Sequence, residues 1–419
     1  MLCFAHRLDP AVQSLQRHIE NDAELIQLFG KAFSEIPEEF LEDSEEHGHA
    51  RIRNYSSLIT AIDQAIKTVP WWSSIAETQC IIAFPINEAM IWFMNTRTGS
   101  QILSRKDINA HFLAILQKWG QYLSSPDSAT AIHDRESGWV SKGALKELLE
   151  VVNNAHNTPF QASAFEEAFI CEPSLPSYGF RSWDDFFTRQ FRPPMRPIAS
   201  PEDDRIIINP CESQPFALMN DVPAETQFSL KGTTYSLQGM LDNDPHASTF
   251  PGGTVFQGWL SAFSYHRWHA PVAGTVVKVL QIPGTYFAAD PSKGFENIDH
   301  STGRPSPDRQ APDASLQMIA SIATRTAILI RADNEALGTV GFLAIGMADV
   351  SSCVSTVSAG DHVFKGQEIG SFHYGGSSFC LLFQPGVNLH FSPLVDASLA
   401  RTIGITGRCI AVNSQLASL

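Results

Sequence analysis

The periodicity of the apolar residues changes near residue 160, and this change limits the chain to a fold with a helical part and a β-rich part. Between residues 10 and 155, apolar residues recur every three or four positions, as in AVQSLQRHI, YSSLITAIDQAI, NAHFLAILQKWGQYL and SKGALKELLEVVNN. Ser141 directly precedes the last helical run, where a serine is expected to cap the helix. The pattern predicts a helical region over residues 1–160.

From about residue 205 onward the apolar runs are short, β-branched and interrupted by glycine and proline. The expected strands include TQFSLKGTTYSL, GTVFQGWLSAFSY, GTVVKVLQI, TAILIRA and GTVGFLAIGMADV. Residues 287–317 are too polar and turn-rich for a core strand, so we expect a long loop there, either disordered or acting as a lid. The fold class is therefore α+β, with a helical region at 1–160 and a second region at 161–419.

The segment STVSAGDHVFKGQEIGSF, residues 355–372, has the pattern of a lipoyl or biotinyl hammerhead. It contains Val357 and Val363, and its two turns contain glycine, which adopts positive φ without strain. The segment predicts a small lipoyl-like β sandwich. A carrier domain would expose its modified lysine on a hairpin, and Lys365 lies in a turn, so a non-enzymatic carrier or binding module remains an alternative.

Charge and cysteine content restrict the partners and the compartment. The 29 basic and 44 acidic residues give a formal net charge of −15, which opposes binding to nucleic acid or to an anionic membrane surface and favours a small-molecule partner. No apolar stretch has the length of a membrane span, and the N-terminus lacks the pattern of a signal peptide. The cysteines are odd in number and never in C-x-x-C spacing, which favours a reducing, cytoplasmic location over a disulfide framework or a zinc site. They are Cys3, Cys80, Cys171, Cys211, Cys353, Cys380 and Cys409.

Two short segments carry residue types suited to chemistry. In SYHRWHAPVAGTVV, His266 and His269 lie three positions apart without an acidic or sulfur ligand nearby, so metal binding is not expected and structural and acid–base roles both stay open. The segment KGQEIGSFHYGGSSF, residues 365–379, contains Gly-Gly-Ser-Ser without a Walker lysine, a G-x-S-x-G elbow or a cysteine pair. Taken alone, this tetrapeptide is compatible with an ordinary turn.

Several segments together resemble the phosphatidylserine decarboxylase family. SYHRWHAPVAGTV is similar to the family's Y-H-R-x-H-x-P segment, and GGSS stands where that family has its self-cleavage site. SWDDFFTRQFRPPMRPI and FSLKGTTYSLQGMLDND match further family segments in the same order, so that the resemblance covers about residues 178–385. The helical half, from MNTRTGSQILSRKDINAHF to SGWVSKGAL, resembles the extension of soluble fungal aromatic amino-acid decarboxylases of this type.

This resemblance implies a cofactor made from the chain itself. Decarboxylation of an α-amino acid needs an electron sink, here a pyruvoyl group derived from Ser377 rather than pyridoxal phosphate. Ser377 would attack the carbonyl of Gly376, and the chain would be cut between residues 376 and 377. By family match, His269 is the base that activates the serine, and His266 returns a proton to the substrate carbon. Glu212, in NPCES, stands where the family has an aspartate and would orient His269.

The function expected from the resemblance is decarboxylation of a free aromatic L-amino acid, with tryptophan as first choice. Ser378 and Phe379 follow the cofactor, and Phe287 lies in the segment that resembles the substrate-side loop. The two cleaved chains are expected to stay associated. Three alternatives remain: decarboxylation of phosphatidylserine at a membrane, an amidase or esterase using the Ser/His pair, and the carrier module.

Overall fold

The computed structural model of the chain separates a helical part from a β-rich part. It describes residues 7–42, 52–72, 84–224, 236–308, 311, 315–349, 352–374, 377–395 and 408–419. Within these residues the fold is α+β, as the change in periodicity predicts. No helix in this described part is long and apolar enough to cross a bilayer.

Eight helices lie between residues 10 and 153 of the described chain. They are α1 Pro10–Glu20, α2 Ala23–Ser34, α3 Glu38–Glu42, α4 Tyr55–Ala65, α5 Pro85–Met94, α6 Arg97–Leu103, α7 Lys106–Leu123 and α8 Lys142–Asn153. The four helices expected from periodicity are confirmed as α1, α4, α7 and α8. Ser141 caps α8, because its hydroxyl accepts a hydrogen bond from the Ala144 amide at 3.2 Å.

The helical packing continues beyond residue 160 and includes side chains from the β-rich part. Two short helices, α9 Phe165–Ala168 and α10 Trp183–Phe187, belong to the same apolar core as the first eight. Phe263, Tyr265 and Phe287 also lie in this core. The two parts of the chain are therefore joined through a shared core, and the boundary at residue 160 stays a prediction.

The β-rich part is built on a seven-stranded antiparallel sheet with the order β10-β6-β7-β8-β12-β4-β3. Its strands are β3 Gln214–Met219, β4 Thr254–Leu260, β6 Gly274–Ile282, β7 Arg325–Ala332, β8 Thr339–Gly346, β10 His362–Val363 and β12 Ser377–Phe383. Four of the five expected strands are confirmed as β4, β6, β7 and β8. The fifth, TQFSLKGTTYSL, falls mostly outside the described residues, and its Leu237 begins a short helix, α11 Leu237–Met240.

The hammerhead segment forms turns as expected, but the side chain of its Lys365 is buried. Strands β5 Arg267–His269, β9 Ser352–Ser355 and β11 Glu368–His373 form a sheet in the order β5-β11-β9. Gly360 and Gly366 have φ values of +97° and +81° in the turns. The Lys365 ammonium donates to the carbonyls of Ser200 at 2.6 Å and Asp203 at 2.8 Å. A buried amine held by carbonyls cannot serve as an exposed carrier lysine, so the structure contradicts the carrier alternative.

The polar segment after residue 287 is packed on the helices. The ring of Phe295 lies edge-on to Phe40, with the centroids 5.2 Å apart, and the Phe295 amide donates to the carbonyl of Asn95 at 3.0 Å. Arg97 forms an ion pair with Glu296. The segment ends at α12 Leu316–Ile322. For the described residues 287–308, disorder is therefore the wrong alternative, because apolar and charged contacts fix the chain.

A buried carboxylate joins the sheet to the helical region. Asp349 follows β8 and accepts hydrogen bonds from the first-turn amides of α5, from Ile86 at 3.2 Å and from Asn87 at 2.9 Å. It supplies the cap that Phe84, at the helix N-cap, cannot provide. Burial, reinforced by the negative charge of Glu88, raises the pKa of Asp349 from 3.8 to about 7.

Asp349→Asn should remove a pH dependence of stability. The folded chain holds a proton that the unfolded chain releases between pH 3.8 and about 7, so stability falls as the pH rises through this window. One pKa unit corresponds to about 1.4 kcal/mol, so we expect the free energy of unfolding to fall by a few kcal/mol. Urea midpoints between pH 5 and 8 measure this slope. The exposed control Asp127→Asn should keep the slope, and an unchanged slope in Asp349→Asn would contradict the assignment.

Candidate active site

Ser377 begins an interior strand of the main sheet. It is the first residue of β12 and is paired with Leu260 of β4 on one side and with Gly346 of β8 on the other. The side chain is fully buried, and its Oγ has no hydrogen-bond partner among the described residues. A buried hydroxyl without a partner costs about 1–3 kcal/mol, so its retention points to a chemical role.

His266 lies at the same end of the sheet as Ser377. The chain leaves β4 at Leu260, turns, and reaches His266 only six residues later. The imidazole stacks on Phe187 with the ring centroids 3.9 Å apart. Its carbonyl accepts from the Phe372 amide at 2.9 Å, which fixes the backbone next to β11. Neither ring nitrogen makes a hydrogen bond of normal geometry within the part of the chain that the structure describes.

Burial, together with a buried arginine nearby, keeps the His266 imidazole neutral. Burial and then the positive charge of Arg189 lower the pKa of His266 well below its usual 6.5. The Arg189 guanidinium donates to the carbonyl of Phe263 at 2.6 Å and lies 4.6 Å from the ring centroid of Phe169. Burial also lowers the pKa of Arg189, to about 9. At neutral pH the guanidinium is therefore still largely charged, while His266 is uncharged.

His269 is held in one tautomer by its two hydrogen bonds. Its Nδ1 lies 2.8 Å from the Gly366 carbonyl, which can only accept, so Nδ1 carries the hydrogen. Its Nε2 lies 3.1 Å from the Tyr265 hydroxyl, which therefore donates to the nitrogen lone pair. Burial is the main cause that lowers the pKa of His269. The ring is thus neutral with an unprotonated Nε2, the form that a general base requires.

Glu212 does not contact His269, and the expected orienting contact is corrected. Its two carboxylate oxygens bind Arg196, at 2.5 Å to Nη2 and 2.9 Å to Nε, and one also accepts from the Val412 amide at 2.8 Å. The Glu212 carboxylate is bound to a buried arginine, and the Gly366 carbonyl orients the ring of His269 instead.

A row of stacked groups connects the Glu212–Arg196 ion pair to His269. The Arg196 guanidinium lies 4.5 Å from the ring centroid of Phe191. Phe191 stacks on Tyr265 at 4.6 Å, and Tyr265 stacks on His269 at 5.8 Å. Glu212 thus supports His269 indirectly, by fixing the arginine at the far end of the row.

The residues expected to contact substrate occupy packed positions. Ser378 points to the opposite face of the sheet from Ser377, where its Oγ accepts from Gln257 at 2.9 Å and donates to the Gly258 carbonyl at 3.0 Å. The Phe379 ring shares the face of Ser377 and packs in the sheet core. Phe287 lies edge-on to a ring of α7, Phe112, at 5.1 Å. Gly376 lies outside the described residues. Contact of these side chains with substrate stays a prediction.

Metal binding and disulfide bonding find no support in the described residues. Nowhere in these ranges do three or more His, Cys, Asp or Glu side chains come close enough to hold a metal ion. The cysteines that the structure describes are free thiols, namely Cys171, Cys211, Cys353, Cys380 and Cys409.

Sequence reasoning missed four residues that set the properties of the two histidines. Phe187 and Arg189 lie in the FFTRQF segment, and Tyr265 lies in SYHRWH, so all three stand within segments that resemble the family. Gly366 acts through its carbonyl, for which a sequence gives no signal. The family resemblance located three of these residues without indicating what they contact.

Comparison with known proteins identifies the class. Residues 183–404 match the sequence pattern described as phosphatidylserine decarboxylase, and residues 9–148 match a second pattern of the same description. The chain belongs to the phosphatidylserine decarboxylase family. It is an enzyme, a decarboxylase, and the resemblance drawn from the sequence is confirmed.

Individual relatives fall into two groups. The L-tryptophan decarboxylase of Psilocybe cubensis is 36% identical over 378 residues, which are 88% of this chain and 79% of that protein. Decarboxylase iboD of Amanita muscaria is 38% identical over 337 residues, 80% of this chain and 90% of that protein. Phosphatidylserine decarboxylase proenzyme 3 of Schizosaccharomyces pombe is 29% identical over 216 residues, 52% of this chain and 20% of that protein. The similarity to the first two extends over both the helical and the β-rich parts.

Proposed function

We propose that this chain decarboxylates a free aromatic L-amino acid, tryptophan first, with a pyruvoyl group that it makes from Ser377. The observation that carries the proposal is the buried Oγ of Ser377, which has no partner in the described structure and lies at the same sheet end as a neutral His266. Such a hydroxyl fits a residue that is consumed in forming a cofactor. No pyridoxal phosphate takes part.

Formation of the group begins with an acyl shift. The Oγ of Ser377 bonds to the carbonyl carbon of Gly376 while the peptide C–N bond breaks, and the hydroxyl proton ends on the freed amine. In between, His269 holds this proton on Nε2, after the hydrogen bond from the Tyr265 hydroxyl to Nε2 has opened. The resulting ester eliminates the Gly376 carboxylate with loss of the Ser377 α-hydrogen. One water then replaces the nitrogen, which leaves as ammonia, so that no oxidant is required.

During turnover, His266 of this chain accepts a proton from the substrate and later returns it. Once formed, the pyruvoyl group supplies the electron sink that loss of CO₂ from an amino acid needs. A substrate ammonium must give up a proton before its nitrogen can react, and neutral His266 can accept it. The same residue can then return that proton to the α-carbon.

The choice of substrate rests on the helical region and on charge. The L-tryptophan decarboxylase of Psilocybe cubensis matches 88% of this chain, which includes most of the helices as well as the sheet. A net charge of −15 disfavours approach to an anionic membrane. An indole offers much apolar area, and burial stabilises it by about 25 cal/mol per Å². A free amino acid in the cytoplasm is therefore favoured over a phospholipid, with no nucleic-acid or membrane partner.

The two products of cleavage should remain one protein. Cutting before Ser377 gives chains of 376 and 43 residues, since 419 − 376 = 43. Within the smaller one, β12 lies between β4 and β8. Its strand β15 Gln415–Ser418 pairs with β13 His390–Phe391 of the same product and with β2 Ile206–Ile208 of the larger one. Its strand β14 Cys409–Ile410 pairs with β1 Ala155–His156. Separation would break strand pairings in three sheets, so we propose that both chains stay associated.

Ser377→Ala should remain a single chain without activity, because it lacks the attacking oxygen. Intact-mass analysis should show two chains for the unaltered protein, the smaller beginning with a carbonyl group that borohydride reduces and that blocks Edman degradation. The matched variant Ser378→Ala should still be cut, since that hydroxyl lies on the other face of the sheet. An active, uncut Ser377→Ala protein would remove the basis of the proposal.

The two histidines should separate maturation from turnover. His269→Ala should block cleavage, because no base then accepts the serine proton. His266→Ala should be cut but should decarboxylate about 10²–10⁴-fold more slowly, the usual cost of losing an acid–base group. Cleavage is measured by intact mass and turnover by CO₂ release per reducible carbonyl. Wild-type turnover in processed His266→Ala would exclude that residue from the reaction.

A substrate panel tests the assignment of an aromatic amino acid. Tryptophan should be decarboxylated fastest, phenylalanine and tyrosine more slowly, and serine poorly, without added pyridoxal phosphate. CO₂ release is compared with that from phosphatidylserine vesicles, and phenylhydrazine should abolish it by trapping the carbonyl. Activity on the vesicles alone would favour the phospholipid alternative over an amino acid.

A further inference from the structure

Tyr374 has an unfavourable backbone three residues before Ser377. Its φ is +80°, in the left-handed region that residues with a side chain rarely adopt. Such a conformation costs about 1–3 kcal/mol and persists only where surrounding contacts impose it. The position is notable because the proposed cleavage follows within two residues.

Helix α7 of the helical region supplies those contacts. The Tyr374 ring lies with its centroid 6.0 Å from that of Trp119, and its hydroxyl is 3.2 Å from the Ser124 Oγ. Gly120 leaves room for the ring, since an added Cβ there would lie 2.9 Å from Tyr374 Cε2 and 3.0 Å from its hydroxyl oxygen. Trp119 and Gly120 of α7, with Ser124 at its C-cap, form the α7 contact site.

Gly120 lowers the intrinsic stability of helix α7. Gly120 lies in the last turn of α7, and within a helix glycine is about 1 kcal/mol less favourable than alanine. It is buried, and the atoms nearest to an added Cβ all belong to Tyr374. The contact with Tyr374 is therefore the physical reason that the structure offers for a glycine at this position.

The chain is fixed on both sides of the proposed cleavage. Upstream, the His373 Nδ1 lies 2.9 Å from an Asp184 oxygen in α10, and its Nε2 lies 3.2 Å from the Ser371 Oγ. Tyr374 follows, held by the α7 contact site. Downstream, Ser377 is fixed by its pairing with β4 and β8. Only residues 375 and 376 separate the two anchored points.

We propose that the α7 contact site, through Tyr374, positions the Gly376–Ser377 peptide bond for self-cleavage. The inference rests on the proposed function and deepens it, because it makes the helical region part of the maturation machinery. The acyl shift requires the Ser377 Oγ to approach the Gly376 carbonyl carbon to about 3–3.5 Å, and a displacement of about 1 Å can cost about 10²-fold in rate. Tyr374 is a positioning residue, since it acts through the backbone that follows it.

Gly120→Ala tests the contact with a minimal change. The added methyl displaces the Tyr374 ring, so we expect self-cleavage to slow by about ten- to a hundredfold. Gly30→Ala is the matched control, because Gly30 is an exposed glycine in the interior of α2 whose added Cβ would meet no described atom within 4 Å. Both changes raise helix propensity, so a loss of folding through the helix itself is not expected. Cleavage is followed by intact mass during cell-free synthesis of the full chain.

Variants of the tyrosine and a chemical probe complete the test. Tyr374→Phe keeps the ring contacts with Trp119 and Gly120 and loses only the hydrogen bond to Ser124, so it should be cut nearly normally. Tyr374→Ala loses the ring and should be cut slowly, with circular dichroism confirming that both variants are folded. Hydroxylamine cuts the chain wherever the ester between Ser377 and Gly376 has already formed. If the α7 contact site positions the first attack of Ser377, Gly120→Ala forms little ester, and hydroxylamine should not restore its cleavage. Restored cleavage, or wild-type cleavage of both Gly120→Ala and Tyr374→Ala, would overturn the inference. An uncut unaltered chain would instead overturn the proposed function itself.

Discussion

The central position of β12 is the constraint on which the site depends. Hydrogen bonds to β4 and β8 hold Ser377 from both sides, and the residues that follow it fill the cores on the two faces of the sheet. A residue fixed in this way can be aligned with a neighbouring peptide bond at little further entropic cost. The same pairing makes a cut before Ser377 tolerable, because the strand after it remains bound within the sheet.

Burial controls the electrostatics around this strand. His266 is fully buried and His269 is partly buried, and burial lowers the pKa of each. They differ in their hydrogen bonds, since both nitrogens of His269 have partners in the described structure and those of His266 have none of normal geometry. The unprotonated Nε2 of His269 fits the proposed base, and the ring nitrogens of His266 fit the proposed exchange of a proton with substrate. This difference in environment supports the proposal of two separate roles.

The helical region is joined to the sheet by specific contacts and by a shared core. Asp349 caps α5, Phe287 packs on α7, and Tyr374 reaches the last turns of the same helix. All three residues come from loops at the end of the sheet where Ser377 lies. This arrangement places the helices in contact with the loops beside Ser377, which supports the proposal that they influence self-cleavage.

Local sequence patterns determined the elements, the turns and the segments that resemble a family. Apolar periodicity located α1, α4, α7 and α8 together with β4, β6, β7 and β8, because each pattern depends on residues within a few positions of one another. Only the tertiary structure showed that Glu212 binds Arg196, that the Gly366 carbonyl orients His269, and that Lys365 is buried. It also showed that Ser124 meets Tyr374, a contact across 250 positions. Such contacts depend on how helices and sheet pack in three dimensions, which local periodicity does not encode.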